Sequence, residues 1–86
     1  METATLNFLL ADEVNDWDPF RLGGGCYDTE IADIVAAVHE LDSVAELARR
    51  IQDIFDFSFE EKLPLDECRK AASRMLMLKN DSSCEI

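Results

Sequence analysis

The stretch from residue 43 to residue 55 reads SVAELARRIQDIF and carries two signals of an amphipathic helix. Its first four residues form a capping box, in which the oxygens of Ser43 and Glu46 each accept a hydrogen bond from a backbone amide that the helix leaves free. Apolar side chains then recur at intervals of three and four residues, which places them on one helix face. They are Val44, Leu47, Ala48, Ile51, Ile54 and Phe55.

The same spacing returns in three other stretches, and each of them predicts a further helix. The first is predicted from about Thr5 to Asp16. The second is capped by Asp28 or Thr29, and the last takes Pro64 as its first helical residue. Their apolar positions are Leu6, Leu10, Val14 and Trp17; Ile31, Ile34, Val35, Val38 and Leu41; and Leu65, Cys68, Ala72, Met75 and Leu76. The predicted fold class is all-α, a compact bundle of four to five short helices.

A chain of 86 residues makes one domain with a single core. We predict that this domain spans residues 1–78 and that residues 79–86 form a polar C-terminal tail. The segment from Phe55 to Phe59 alternates apolar and polar residues as a strand would, but a lone strand has no pairing partner in a helical chain. We therefore interpret it as a helix end and a turn that place three aromatic side chains in the core.

The charge is strongly negative and unevenly divided. The chain has a net charge of −11, and residues 1–48 hold eleven acids against one base, Arg21, whereas residues 49–86 hold eight acids and seven bases. Such a field repels nucleic acids and anionic membranes and attracts basic proteins. The alternative, that the acidic surface serves solubility alone, remains open at this point.

The sequence offers little from which to build a catalytic or metal site. His39 is the only histidine, and no two cysteines have the C-x-x-C spacing of a zinc site. Pairs of carboxylates occur by chance in a chain with 19 acids. We therefore predict a protein that is not an enzyme, with no cofactor, no metal and no small-molecule substrate. Three widely spaced cysteines and a start without a signal peptide favour the cytoplasm.

The aromatic residues around the first interhelical loop are candidates for a binding patch. Trp17, Phe20 and Tyr27 lie among acids, and aromatic side chains rimmed by charge are typical of protein interfaces. Trp17 has the alternative of filling the core. The predicted partner-binding residues are Asp12, Glu13, Asp16, Trp17, Asp18, Phe20, Tyr27, Asp28, Glu30 and Asp33.

Three short motifs carry a resemblance to a known family. They are Trp17-Asp18-Pro19, Tyr27-Asp28-Thr29-Glu30-Ile31, and an Ile-rich helix that ends in a Phe-containing segment, Ile51 to Phe59. In these motifs, over residues 14–76, the chain resembles the YugE-like family of short bacterial helical proteins. The resemblance implies a small helical bundle but no established activity. The chain departs from the family pattern in its loop of three glycines, residues 23–25.

Size, acidity and the lack of catalytic groups also make the chain similar, as a class, to the immunity proteins of contact-dependent growth inhibition. Those proteins bind one cognate toxin, often a basic nuclease. We therefore predict an acidic protein that binds and inhibits a basic nuclease toxin, an RNase, by covering its active-site surface. The alternative is a cytoplasmic adaptor or regulatory protein with another partner.

Overall fold

The structure is a computed structural model that describes residues 3–23, 25 and 27–84. It contains four helices: α1 (Thr3–Trp17), α2 (Asp28–Glu40), α3 (Val44–Phe59) and α4 (Leu65–Cys84). No strand occurs among the described residues, and the predicted all-α bundle is confirmed with four helices. Within the described ranges, no helix has both the length and the apolarity needed to span a membrane.

The four helices form an antiparallel bundle. Helix α1 packs against α2 and α4, and α3 packs against the same two helices. Asn7, near the start of α1, contacts His39 near the end of α2 at 2.7 Å. Glu13, further along α1, binds Arg74 of α4 at 3.1 Å. Pro19 of the α1–α2 loop and Leu63 of the α3–α4 loop line the same cleft, so the two loops lie at the same end of the bundle.

The predicted apolar stripes face the centre of this bundle, except for Val44 and Leu65, the first residues of α3 and α4, which are each 36% exposed. Helices bury such stripes against one another because removing apolar surface from water is favourable. Tyr27 and Phe55 are the largest of the fully buried side chains. Among the described residues, the buried apolar side chains are Leu6, Leu10, Val14, Tyr27, Ile34, Ala37, Val38, Leu47, Ala48, Ile51, Phe55, Leu63, Cys68, Ala71, Ala72, Met75 and Leu76.

Two helix starts differ by one residue from the prediction, and one is as predicted. Tyr27 occupies the N-cap position of α2 without a capping side chain, so Asp28 is already helical. Pro64 precedes α4, and its carbonyl accepts hydrogen bonds from the amides of the first turn at 3.1 and 3.2 Å. At α3, the hydroxyl of Ser43 accepts from the amide of Glu46 at 3.3 Å, as predicted.

The segment from Phe55 to Phe59 is a helix end, as predicted, because α3 ends at Phe59, but the predicted turn within it was wrong, because α3 continues through the whole segment. In a helix, Phe55 and Phe59 are about one turn apart and share a face, whereas Phe57 lies about 200° from Phe55. Phe55 is fully buried and Phe59 partly buried, but 89% of Phe57 is exposed. Only two of the three aromatic side chains therefore reach the core.

Helix α4 extends through residues 79–84, which the sequence analysis assigned to the polar tail. Lys79 lies in this part, and its ammonium donates hydrogen bonds to the carbonyls of Val38 at 2.8 Å and Leu41 at 3.3 Å and to the carboxylate of Asp42 at 2.8 Å. The last carbonyls of a helix lack partners within that helix, and a cation near them also complements the helix dipole. Lys79 therefore caps α2 from another helix.

Replacing Lys79 with methionine should lower the free energy of unfolding by about 1.5–3 kcal/mol, the range for a hydrogen bond that involves a charged group. The Lys79 side chain is only 18% exposed, so water replaces these bonds poorly. Lys70→Met is the matched control, because the Lys70 side chain is 71% exposed and pairs only with Glu67 at the surface. Urea unfolding of both variants tests this, and equal losses would contradict the capping role.

Candidate partner-binding surface

Asp18 organises the loop that joins α1 to α2. Its amide donates to the carbonyl of Val14 at 3.0 Å, and its backbone turns into the left-handed region with φ of 42°, which ends the helix. Its carboxylate then accepts hydrogen bonds from the amides of Leu22 at 2.8 Å and Gly23 at 3.1 Å and from the hydroxyl of Tyr27 at 2.5 Å. One side chain thus connects the end of α1 to the residue that precedes α2.

Tyr27 is the other half of this network. Its ring is fully buried, and its hydroxyl also accepts a hydrogen bond from the amide of Phe20 at 3.2 Å. Burial, followed by the bond to Asp18, raises the pKa of Tyr27 above its usual value. The Tyr27 hydroxyl lowers the pKa of Asp18, and the loop amides and Arg21 add to this, while partial burial opposes it. The stable arrangement is therefore an ionised Asp18 and a neutral Tyr27.

Two glycines allow the loop to follow this path. Gly23 has a φ of 92° and Gly25 a φ of 88°, values that residues with a Cβ rarely adopt. The amide of Gly25 donates to the side-chain oxygen of Asn15 at 3.2 Å. The described part of the glycine loop is therefore held by Asn15 and Asp18, which both belong to the C-terminal end of α1 or follow it directly. Gly24 and Cys26 lie outside the described residues.

The predicted aromatic patch packs inward. The ring of Phe55 is met by Trp17, Phe20 and Tyr27 at centroid distances of 5.7, 5.7 and 5.8 Å, all at steep angles. Phe59 adds a contact to Phe20 at 4.6 Å. Edge-to-face pairs of this kind are favourable because the positive ring edge meets the negative ring face. The alternative of a core position for Trp17 is thus supported in part, since Trp17 and Phe20 are partly buried against the core.

Four residues of the predicted partner-binding set are buried or already bound within the molecule. Tyr27 is fully buried and Glu30 is only 7% exposed, so neither offers its side chain to a partner. Glu13 is bound to Arg74, and the Asp18 carboxylate is occupied by the loop. The sequence analysis missed Arg74 because a pairing across 61 residues leaves no local signal.

Four of the predicted acids remain exposed: Asp12 and Asp16 on α1, and Asp28 and Asp33 on α2. No ion pair joins any of them to a basic side chain in the described part of the chain. Asp12 and Asp16 share one face of α1, whereas Asp28 and Asp33 lie about 140° apart around α2. The acids therefore form a band around two neighbouring helices and not a flat patch.

A small cleft lies beside this loop, between the end of α1 and the start of α4. Its volume is about 280 Å³, slightly below the usual range of about 300–1,000 Å³ for small-molecule sites. Both of its carboxylates are already engaged, Asp18 by the loop and Glu67 by Lys70 at 3.2 Å. Its lining residues are Trp17, Asp18, Pro19, Arg21, Leu63, Pro64 and Glu67.

Comparison with known proteins places the chain in a family. The family model described as a domain of unknown function, DUF1871, matches residues 9–85. The chain belongs to the DUF1871 family. This DUF1871 chain is 47% identical over 68 residues to the uncharacterized protein YugE of Bacillus subtilis, and the match covers 79% of each chain. The resemblance to the YugE-like family is thereby confirmed.

A solved structure supports the fold of this DUF1871 chain. The crystal structure of a Bacillus stearothermophilus protein superposes with a TM-score of 0.88 at 44% identity, covering 91% of this chain and 96% of that chain. The four-helix arrangement is therefore shared with that protein. The family description names no activity. Membership therefore indicates the architecture but not the function, which depends on the surface residues.

The Asp18 network predicts an acid response. Because the pKa of Asp18 is lower in the folded protein, its ionisation stabilises the fold above the ordinary value of 3.8, and this contribution is lost as the pH falls below that value. Asp18→Asn should therefore lose less stability than the wild type between about pH 5 and about pH 3. Tyr27→Phe removes the strongest donor and should also reduce the loss. Urea midpoints at both pH values decide this, and an unchanged pH dependence in Asp18→Asn would refute it.

Proposed function

We propose that this protein acts by binding a basic protein and not by catalysis. The observation that carries the proposal is the division of charge: nearly all of the net −11 belongs to residues 1–48. These residues include α1 and α2, which pack side by side, while seven of the eight bases belong to residues 49–86. One side of the bundle is therefore far more acidic than the other.

In its specific form, the proposal is that the partner is a nuclease toxin, an RNase, and that the protein is its immunity protein. A nuclease cleft is built to attract phosphates, and an array of carboxylates on a rigid scaffold is attracted by the same field. The exposed acids Asp12, Asp16, Asp28 and Asp33 supply that array. The same field disfavours nucleic acids and anionic membranes as partners.

The proposed compartment is the cytoplasm. Cys68 is fully buried and free, and burial raises its pKa to about 11. A thiol that stays protonated at neutral pH is a poor nucleophile. Cys68 therefore supports a packing role in a reducing environment and not a redox or catalytic one.

The nature of the partner is tested by capture from the native host at low ionic strength. We expect a basic protein that is released by added salt and whose RNA cleavage stops at one equivalent of this chain. A basic partner without nuclease activity would support the proposal that the protein binds a basic protein and would contradict the proposal that the partner is an RNase. An acidic partner would remove both.

Two double variants with the same net charge test whether the acidic side directs binding. Asp12→Asn with Asp16→Asn and, as the control, Asp66→Asn with Glu67→Gln each remove two negative charges. Against the captured partner at low salt, the α1 pair should slow association several-fold, and the α4 pair should slow it less, because steering follows the local field. Stopped-flow or surface-based kinetics measure this. Equal effects would mean that the charge acts only in bulk.

A further inference from the structure

Phe57 is the most exposed of the large apolar side chains among the described residues, at 89%. It lies outside the buried stripe of α3, so the packing of the bundle gives no reason for an aromatic residue at this position. Exposed aromatic residues become energetically important where a partner covers them. The surroundings of Phe57 indicate what such a partner would bring.

The seam between α2 and α3 repeats with an interval of seven residues. Arg50 of α3 meets Glu40 of α2 at 3.8 Å. Seven residues make about two helical turns, so Phe57 lies on the same side of α3 as Arg50, and Asp33 on the same side of α2 as Glu40. Because the two helices are antiparallel, Phe57 and Asp33 occupy the next equivalent position along the seam. At this position α2 again has an acid, but α3 has Phe57 in place of a base.

Two further carboxylates lie near Phe57 on α3. Asp53 precedes Phe57 by about one turn on the same helix, and Glu60 follows it at the C-cap of α3. Both are exposed, and neither forms an ion pair with another described residue. The nearest bases in sequence are Lys62, in the connection to α4, and Arg49 and Arg50, which precede Asp53 by about one turn; of these two, Arg50 binds Glu40. An exposed ring with several uncompensated carboxylates beside it is complementary to a flat cation.

We propose that this surface, the Phe57 seam of Asp33, Asp53, Phe57 and Glu60, receives an arginine side chain of the basic partner. A guanidinium stacks on an aromatic face through cation–π attraction, and its planar edge donates two parallel hydrogen bonds to a carboxylate. Lysine carries a compact charge and forms neither arrangement as well. The inference rests on the proposed function and assigns to Phe57 the role in partner binding for which Trp17, Phe20 and Tyr27 were the candidates in the sequence.

The test uses the full chain, isotope-labelled for NMR and titrated at low salt with nona-arginine and, separately, with nona-lysine. We expect nona-arginine to cause its largest shifts in the Phe57 ring and in the amides of Asp33 and Asp53. Phe57→Ala should weaken nona-arginine binding about two- to fivefold and leave nona-lysine binding nearly unchanged. Met77→Ala is the control, because Met77 is 63% exposed on α4, has no aromatic ring and follows the base Arg74 by about one turn, and it should change neither affinity.

The outcomes separate this inference from the proposed function. Phe57 and Met77 are both exposed, so both variants should keep the wild-type melting temperature, and a fall in Phe57→Ala would show that Phe57 is structural. Shifts confined to Asp12, Asp16 and Asp28, or equal affinities of the Phe57→Ala and Met77→Ala variants for nona-arginine, would overturn the Phe57 seam and leave an acidic surface that binds basic chains. If neither peptide bound at low salt, both proposals would fail.

Discussion

The hydrogen bond between the Tyr27 hydroxyl and the Asp18 carboxylate is the contact on which the rest of the bundle depends. It joins the residue after α1 to the residue before α2 and thereby fixes the angle and spacing of these helices. Because the Tyr27 ring is held under the loop, Phe55 finds an aromatic surface and α3 is positioned against it. The bond lowers the pKa of Asp18 and, together with burial, raises the pKa of Tyr27, so the pairing of an ionised acceptor with a neutral donor extends over a wider pH range.

Much of this fold could be predicted because helices repeat every 3.6 residues and the apolar stripes follow that period closely. The start of α3 at Ser43 was predictable because a capping box is a local signal. The outward position of Phe57 could not be predicted, because the alternation of aromatic and polar residues also fits the period of two of a strand. Phe57 points outward because α3 continues through this segment. Lys79 was missed because its acceptors at the end of α2 are distant in sequence. The burial of Glu30 likewise depends on how the helices pack, which periodicity does not report.

The candidate surface also depends on how the helices pack, which the sequence does not report. A division of charge along a chain becomes a division in space only if the acidic segments are neighbours in the fold, and here α1 and α2 are neighbours. Sequence alone does not show which acids are engaged within the molecule, and the structure shows that Glu13 and Asp18 are. Membership of the DUF1871 family accounts for the shared architecture, but an architecture supports many functions. The proposed function therefore rests on the exposed side chains.

The two proposed elements of recognition act at different ranges and need a rigid support. Carboxylates on α1 and α2 act through their summed field and affect mainly the rate of encounter, whereas a stacked guanidinium at Phe57 acts only at contact and affects mainly dissociation. Ordering a flexible surface on binding would cost part of that contact energy. The aromatic cluster around Phe55 secures one end of the bundle and Lys79 the other, so α2 and α3 hold the seam between them in place before a partner arrives. The rigid core therefore keeps the acidic surface preorganised for binding.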